Sequence, residues 1–344
     1  MNRKPHSVIK SLAAAAIYVA FAAYLYQPYW RNLQRWEYLF LVNPPLAAMG
    51  CYVLSRRWVS SFAGSFFAGA VYGFGPFMLG LDRFHPTAGF LAATIPWLFC
   101  PVVFSPKQRW RWLSIPLSLL PFLAIVLFFQ VSLYYRLFAV PAQARLHLAD
   151  LLGLIAPLAT AGRGLSIIGF YHIPLAPLIV GFFMLLARLK AGRIGVMTIL
   201  AVAVVLAFCK PILNVSPIIW LAIPVVCGSV LIGAGTQGLI LCGFADRKWV
   251  LATAGMCGAL AIVMFLLATK YFQTFPGLGA GYARVFTDTG RMYALGAITM
   301  LVIFFLVRAK LPAERRIPIR AILLFPAMAV DIFLSARFIV DWLL

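Results

Sequence analysis

The stretch AMAVDIFLSARFIVDWLL, residues 327–344, is apolar apart from Asp331, Ser335, Arg337 and Asp341. With the residues before it, it forms an apolar run over 319–343. That is enough for a membrane-crossing helix, which needs about 20 such residues. An ionised group near the middle of such a helix costs on the order of 3 kcal/mol on insertion scales, so an acid there needs a reason. If the helix enters the hydrocarbon at Arg320, Asp331 lies about 16 Å further on at 1.5 Å per residue, close to mid-membrane. It is therefore expected to face the bundle interior, pair with another group or be protonated, and to act either as a proton or cation relay or substrate contact, or as a tie to another helix. Arg337 and Asp341 are four residues apart, share a helix face and should form a local pair. Arg337 points about 120° away from Asp331 and is a poor partner for it.

The rest of the chain has the same character. Of 344 residues 64% are hydrophobic and only 11% charged, against roughly 45–50% and 25% in a soluble domain. The expected fold class is all-α, a polytopic integral membrane helical bundle forming one domain over 1–344. Eleven segments are long and apolar enough to be spans: 8–26, 37–55, 59–81, 86–104, 112–135, 166–187, 194–210, 216–241, 249–269, 292–308 and 319–343. The first also has the layout of a secretory signal, with Ala20-Phe21-Ala22 as a small-x-small site. The apolar run continues past it through Ala23 and Tyr24, which favours a retained helix.

The net charge of +21 does not indicate nucleic acid, because the basic residues are scattered in twos and threes between apolar runs. They fit the preference of Lys and Arg for short cytoplasmic loops. With the amino end inside, 18 of the 29 basic residues fall in compact segments on one side, such as SRRW (Arg56, Arg57), RLKAGR and VRAKLPAERRIPIR. Ten lie on the other side in longer stretches, and Arg337 is within the last helix. The expected topology is amino end cytoplasmic and carboxyl end outside, with anionic lipid head groups as partners. Seven tryptophans near segment ends (Trp30, Trp36, Trp58, Trp110, Trp112, Trp249, Trp342) suit the head-group region. Prolines inside apolar runs (Pro76, Pro96, Pro121, Pro174, Pro177, Pro224, Pro326) predict kinked or broken helices, whose freed carbonyls need other partners.

The six cysteines all lie in apolar runs with no CxxC, which speaks against a disulfide frame or a metal site. HExxH, GxSxG and Walker motifs are absent, so no metal or cofactor is expected. The two longest stretches outside the apolar runs, about 136–165 and 270–291, are expected on the outer face. They hold Arg145, His147, Asp150, Arg163, Tyr282, Arg284, Thr287, Asp288 and Arg291, with His172 a short way into the sixth segment. Arginine forks suit phosphate or carboxylate groups, and a His near an Asp can act as a general base, which makes His147, Asp150, His172 and Asp288 the catalytic candidates. The same loops also read as solvated faces touching lipid phosphates.

GAGTQG at 233–238 places Thr236 and Gln237 between glycines. Such a segment either breaks to line a binding site or packs closely with Gln237 bonded to a neighbour. Asp82, Arg83 and His85 are expected at an outer turn anchored by an ion pair.

Three functions accommodate these groups. One is a transporter or flippase for an anionic or lipid-linked substrate, with Asp331, Gln237, Thr236, Arg145, Arg284 and Arg291 in contact with substrate or ion. The second is a membrane-embedded transferase acting on a lipid at the outer face, and the third a non-catalytic subunit beside a membrane-protein partner. Whether the chain is an enzyme stays open at this point. The compact loops and the absence of organellar signals point to a bacterial inner membrane.

Overall fold

A computed structural model describes residues 5–31, 33, 37–84, 86–104, 111–135, 146–161, 169–186, 191–274, 280–309 and 313–343. Among these residues there are helices and no strand: α1 (Pro5–Tyr26), α2 (Leu39–Ser55), α3 (Phe62–Gly73), α4 (Pro76–Phe84), α5 (Pro86–Phe104), α6 (Arg111–Tyr134), α7 (Pro157–Ala161), α8 (Leu175–Leu186), α9 (Ala191–Phe208), α10 (Ala222–Leu241), α11 (Arg247–Thr274), α12 (Ala280–Arg308) and α13 (Ala313–Leu343), with short 3-10 turns between some of them. This is the architecture that hydrocarbon imposes, since a helix satisfies its backbone polar groups within one segment.

Eight helical stretches among the described residues are long and apolar enough to cross a membrane: Val8–Tyr29, Phe62–Asp82, Pro86–Phe104, Pro116–Tyr134, Pro217–Leu241, Arg247–Lys270, Gly281–Arg308 and Ile317–Trp342. Three shorter apolar helices, Leu39–Ser55, Leu175–Leu186 and Val196–Phe208, occupy other segments anticipated from the sequence. The outer surfaces of these helices carry large apolar side chains, including Leu12 at 65%, Ile262 at 62% and Ile322 at 69% exposure. Such surfaces are a liability in water and the expected lining against lipid.

The interior is built around α2, which packs along α3 and α5, and α10, which packs along α8 and α3. Glycines make the second contact possible. Gly64 and Gly233 sit backbone to backbone, as do Gly235 and Pro177, and Gly181 and Leu231, leaving no room for a side chain. Small residues allow this close approach, from which helix association in lipid gains most. Buried tyrosines then pin helices together through backbone carbonyls: Tyr18 donates to Phe66 O at 2.7 Å, Tyr72 to Ala92 O at 2.6 Å and Tyr171 to Phe74 O at 2.6 Å.

Of the two readings of GAGTQG the closely packed one is found, since α10 runs continuously through it, and three other expectations are altered. Much of 270–291 is helical: α11 reaches Thr274 and α12 begins at Ala280, and the two helices pack along each other as a hairpin. Their 28 and 29 residues give lengths of roughly 42–44 Å, more than a hydrocarbon core of about 30 Å. The sixth segment is helical only from Leu175, and Gly169–Pro174 are irregular yet buried. Pro174 has no N–H to donate and disfavours helical geometry at Ile173 before it. Finally, Asp82 is not at a solvated turn but is 1% exposed.

Candidate functional site

Asp331 falls near the middle of the Ile317–Trp342 stretch and is fully buried. Its carboxylate is held by three donors. His172 Nδ1 lies 2.9 Å from Oδ1, the Ile173 backbone N–H donates to Oδ2 at 2.6 Å, and Ser335 Oγ, one turn along the same helix, donates to Oδ1 at 3.2 Å. A carboxylate that already accepts from two other groups takes the His172 proton as acceptor, which places the imidazole hydrogen on Nδ1. The irregular Gly169–Pro174 segment makes this arrangement possible, because it frees the Ile173 N–H and brings the carboxylate to the amino-terminal end of α8, where the helix dipole favours negative charge.

The pair is enclosed on every side. The Tyr293 ring meets the His172 ring edge-on at 5.1 Å, and its hydroxyl donates to Ile155 O at 2.7 Å. Two helix interruptions meet here, since Tyr171 bonds the carbonyl of Phe74 at the gap between α3 and α4. The 3-10 turn Leu148–Leu154 and α7 fold over the group. Gly169 makes that closure possible: its φ of +138° brings it against Gly153, an approach and a conformation that both exclude a side chain. His172 Nε2 is the remaining polar atom of the pair, buried and without a hydrogen-bond partner among the described residues. Removing two ionisable groups from water costs several kcal/mol each, so only a nearly complete set of hydrogen bonds sustains the arrangement.

A second buried carboxyl lies at the end of α4. Asn43 Nδ2, from α2, donates to Asp82 Oδ1 at 2.7 Å and to Pro86 O at 2.8 Å. Gly89 of α5 sits directly against Asp82 Oδ1, leaving no space for a side chain. Neither Asn43 nor the depth of Asp82 was recognised in the sequence. The signal available was Asn43-Pro44-Pro45 inside an apolar segment, where an amide needs a partner and two prolines free backbone groups.

The other candidates do not converge on His172 and Asp331. Gln237 Oε1 accepts from Ser60 N at 2.9 Å and Ser61 N at 3.1 Å, and its Nε2 donates to Ser60 Oγ at 2.9 Å, so it caps the start of α3. Thr236 donates to Ile232 O at 2.7 Å within its own helix, beside Met328. Asp150 is buried and accepts from the His147 backbone N–H at 2.8 Å, stabilising the Leu148–Leu154 turn, while the His147 side chain is exposed. Arg284 is exposed, and Arg291 pairs with Asp288 at 3.1 Å across solvent-facing side chains. Arg145, Arg163 and His85 lie outside the described residues. Arg337 and Asp341 do form the expected pair, Nε to Oδ2 at 2.8 Å, and Tyr29 of the turn after α1 donates to the same carboxylate at 2.8 Å.

Arg320, expected at a loop, is 2% exposed. It donates to Ile240 O at 3.1 Å and Cys242 O at 2.7 Å. A cation on the last carbonyls of α10 satisfies groups that the helix end leaves open. Burial pushes the adjacent Cys242 thiol up, although the Arg320 guanidinium pulls the other way.

No family model matches this chain, and neither the curated proteins nor the solved structures contain a match to it. The site's own geometry is therefore what bears on function.

Proposed function

We propose that this chain is a multi-pass transporter or flippase of the bacterial inner membrane, moving an anionic or lipid-linked substrate with His172 and Asp331 as its proton-coupling pair. In this reading it crosses the bilayer eleven times, with its amino end in the cytoplasm, its carboxyl end outside and its basic loops against anionic lipid. The observation that carries the proposal is the buried His172–Asp331 pair at an irregular segment in the bundle interior, with Nε2 unpartnered among the described residues. Ionisable groups within a membrane mark proton and substrate pathways, and broken helices supply their sites. A proton taken up at Nε2 would turn that atom from acceptor into donor and leave a cation beside Asp331, able to receive a substrate anion. Arg284 and Arg291, on the exposed part of the α11–α12 hairpin, could gather such anions before entry.

The test is lipid and glycolipid profiling of cells that lack the protein, supplemented with the unaltered chain or with Asp331→Asn. Loss of the protein should cause an unmodified lipid-linked or anionic precursor to accumulate. Asp331→Asn, inserted at normal levels, should reproduce that profile. A normal profile with Asp331→Asn removes the coupling role.

The same pair supports a second reading as a transferase, because a carboxylate that fixes Nδ1–H leaves Nε2 oriented as a general base. In that case a chemically modified lipid, not the location of a precursor, should be lost with His172→Ala.

A further inference from the structure

Asp331 and Asp82 are both buried carboxyls, but their surroundings differ in kind. Asp331 receives three donors. Among the described residues Asp82 receives one, from Asn43 Nδ2, whose other hydrogen is committed to Pro86 O. Asp82 Oδ2 and Asn43 Oδ1 are left over, both buried and neither with a hydrogen-bond partner among the described residues. Two acceptors without a donor are costly in a dry interior. Among the described residues Asn43 Nδ2 is the side-chain donor to Asp82. From α1 the titratable neighbour is Tyr26, and α13, which packs on α4, contributes Asp331 with its own donors already in place. The close fit of Gly89 against Oδ1 leaves little room for the oxygen shell of a metal cation.

We propose that Asp82 with Asn43 is a second proton-binding site, in which the Asp82 carboxyl holds a proton on Oδ2 and supplies the donor that the two leftover oxygens lack. Carboxyls placed in such contrasting surroundings take opposite roles, one as acid and one as base. Helix α4, which ends just after Asp82, packs on α13, which carries Asp331, so the two carboxyls lie on neighbouring helices. As a proton site, Asn43–Asp82 stands independently of transport; as a second carrier in a transport cycle, it rests on the function proposed above.

Infrared spectroscopy of the purified protein in lipid tests this without any substrate. The carbonyl stretch of a protonated carboxyl should be present at neutral pH, vanish in Asp82→Asn and persist in Asp331→Asn. Asn43→Leu, which removes the single donor but not the acid, should retain it. Asp82→Asn should melt within a few degrees of the unaltered chain, because an amide replaces a neutral acid. Should that variant fail to accumulate, carboxyl-carbon labelling of aspartate in the unaltered chain and in Asp331→Asn reads the same band. A spectrum with no Asp82-dependent band at neutral pH overturns the proposal. So does a band that disappears when sodium replaces a bulky organic cation at fixed pH, which would make this a metal-cation site. A transport defect in Asp331→Asn with no such band would leave the proposed function standing and this one refuted.

Discussion

The most consequential residue is Asp331, because its three donors come from two places in the chain and all lose a partner with it. Asp331→Leu should cost about 3–5 kcal/mol, the usual penalty for breaking a buried pair from one side. Asp331→Asn keeps the shape and one acceptor oxygen, and should cost about 1–3 kcal/mol. Thermal unfolding in detergent separates the two, and equal losses would show that the carboxylate is not held as described. Arg337→Ala should cost less than about 1 kcal/mol, because its pair with Asp341 lies at a half-exposed helix end. The Arg337–Asp341 pair was legible in the sequence, since a spacing of four defines a helix face. The demand for a partner at Asp331 was legible too, from the cost of a charge in hydrocarbon. That the partner is His172, 159 positions away, was not, because local spacing carries no information about which helices meet.

At the scale of elements, the ends and seams of helices matter most. Gln237 makes three hydrogen bonds at the start of α3, so Gln237→Ala should cost about 1 kcal/mol, as the loss of a helix cap does. Gly235→Val should cost more, about 1–3 kcal/mol, since it forces α10 away from α8 in an overpacked seam. Melting temperature and the detergent stability of the monodisperse peak check both; a tolerated Gly235→Val would mean that the two helices approach less closely. The sequence offered two outcomes for GAGTQG, and the closely packed one is found. Glycine signals close approach or a break equally well, and only the neighbouring backbone of Pro177 and Gly64 decides between them.

At the scale of the whole molecule, the distribution of basic residues makes a prediction about orientation. A reporter fused at the carboxyl end should be active only if it functions outside the cytoplasm, and one fused within the Arg56-Arg57 turn only if it functions inside. The reverse pattern would invert the topology. Arg284→Cys, on the exposed start of α12, should be modified by a membrane-impermeant maleimide in intact cells. Under the topology proposed above, the hairpin's excess length over the bilayer falls at this end, beyond the lipid. Protection of this cysteine would argue that the hairpin is covered.

Hydropathy and helical periodicity, properties of each segment taken alone, were enough to determine from the sequence an all-helical chain with apolar stretches of membrane length, a carboxyl-terminal ion pair and an acid in need of a partner. The continuity of α10, the helical hairpin over much of an expected outer loop, the burial of Asp82 beside Asn43 and the meeting of His172 with Asp331 were decided by tertiary structure. Each depends on which polar groups the interior can satisfy when distant segments are brought together, and in a dry bundle that requirement, more than local preference, determines where a charged or irregular residue is tolerated.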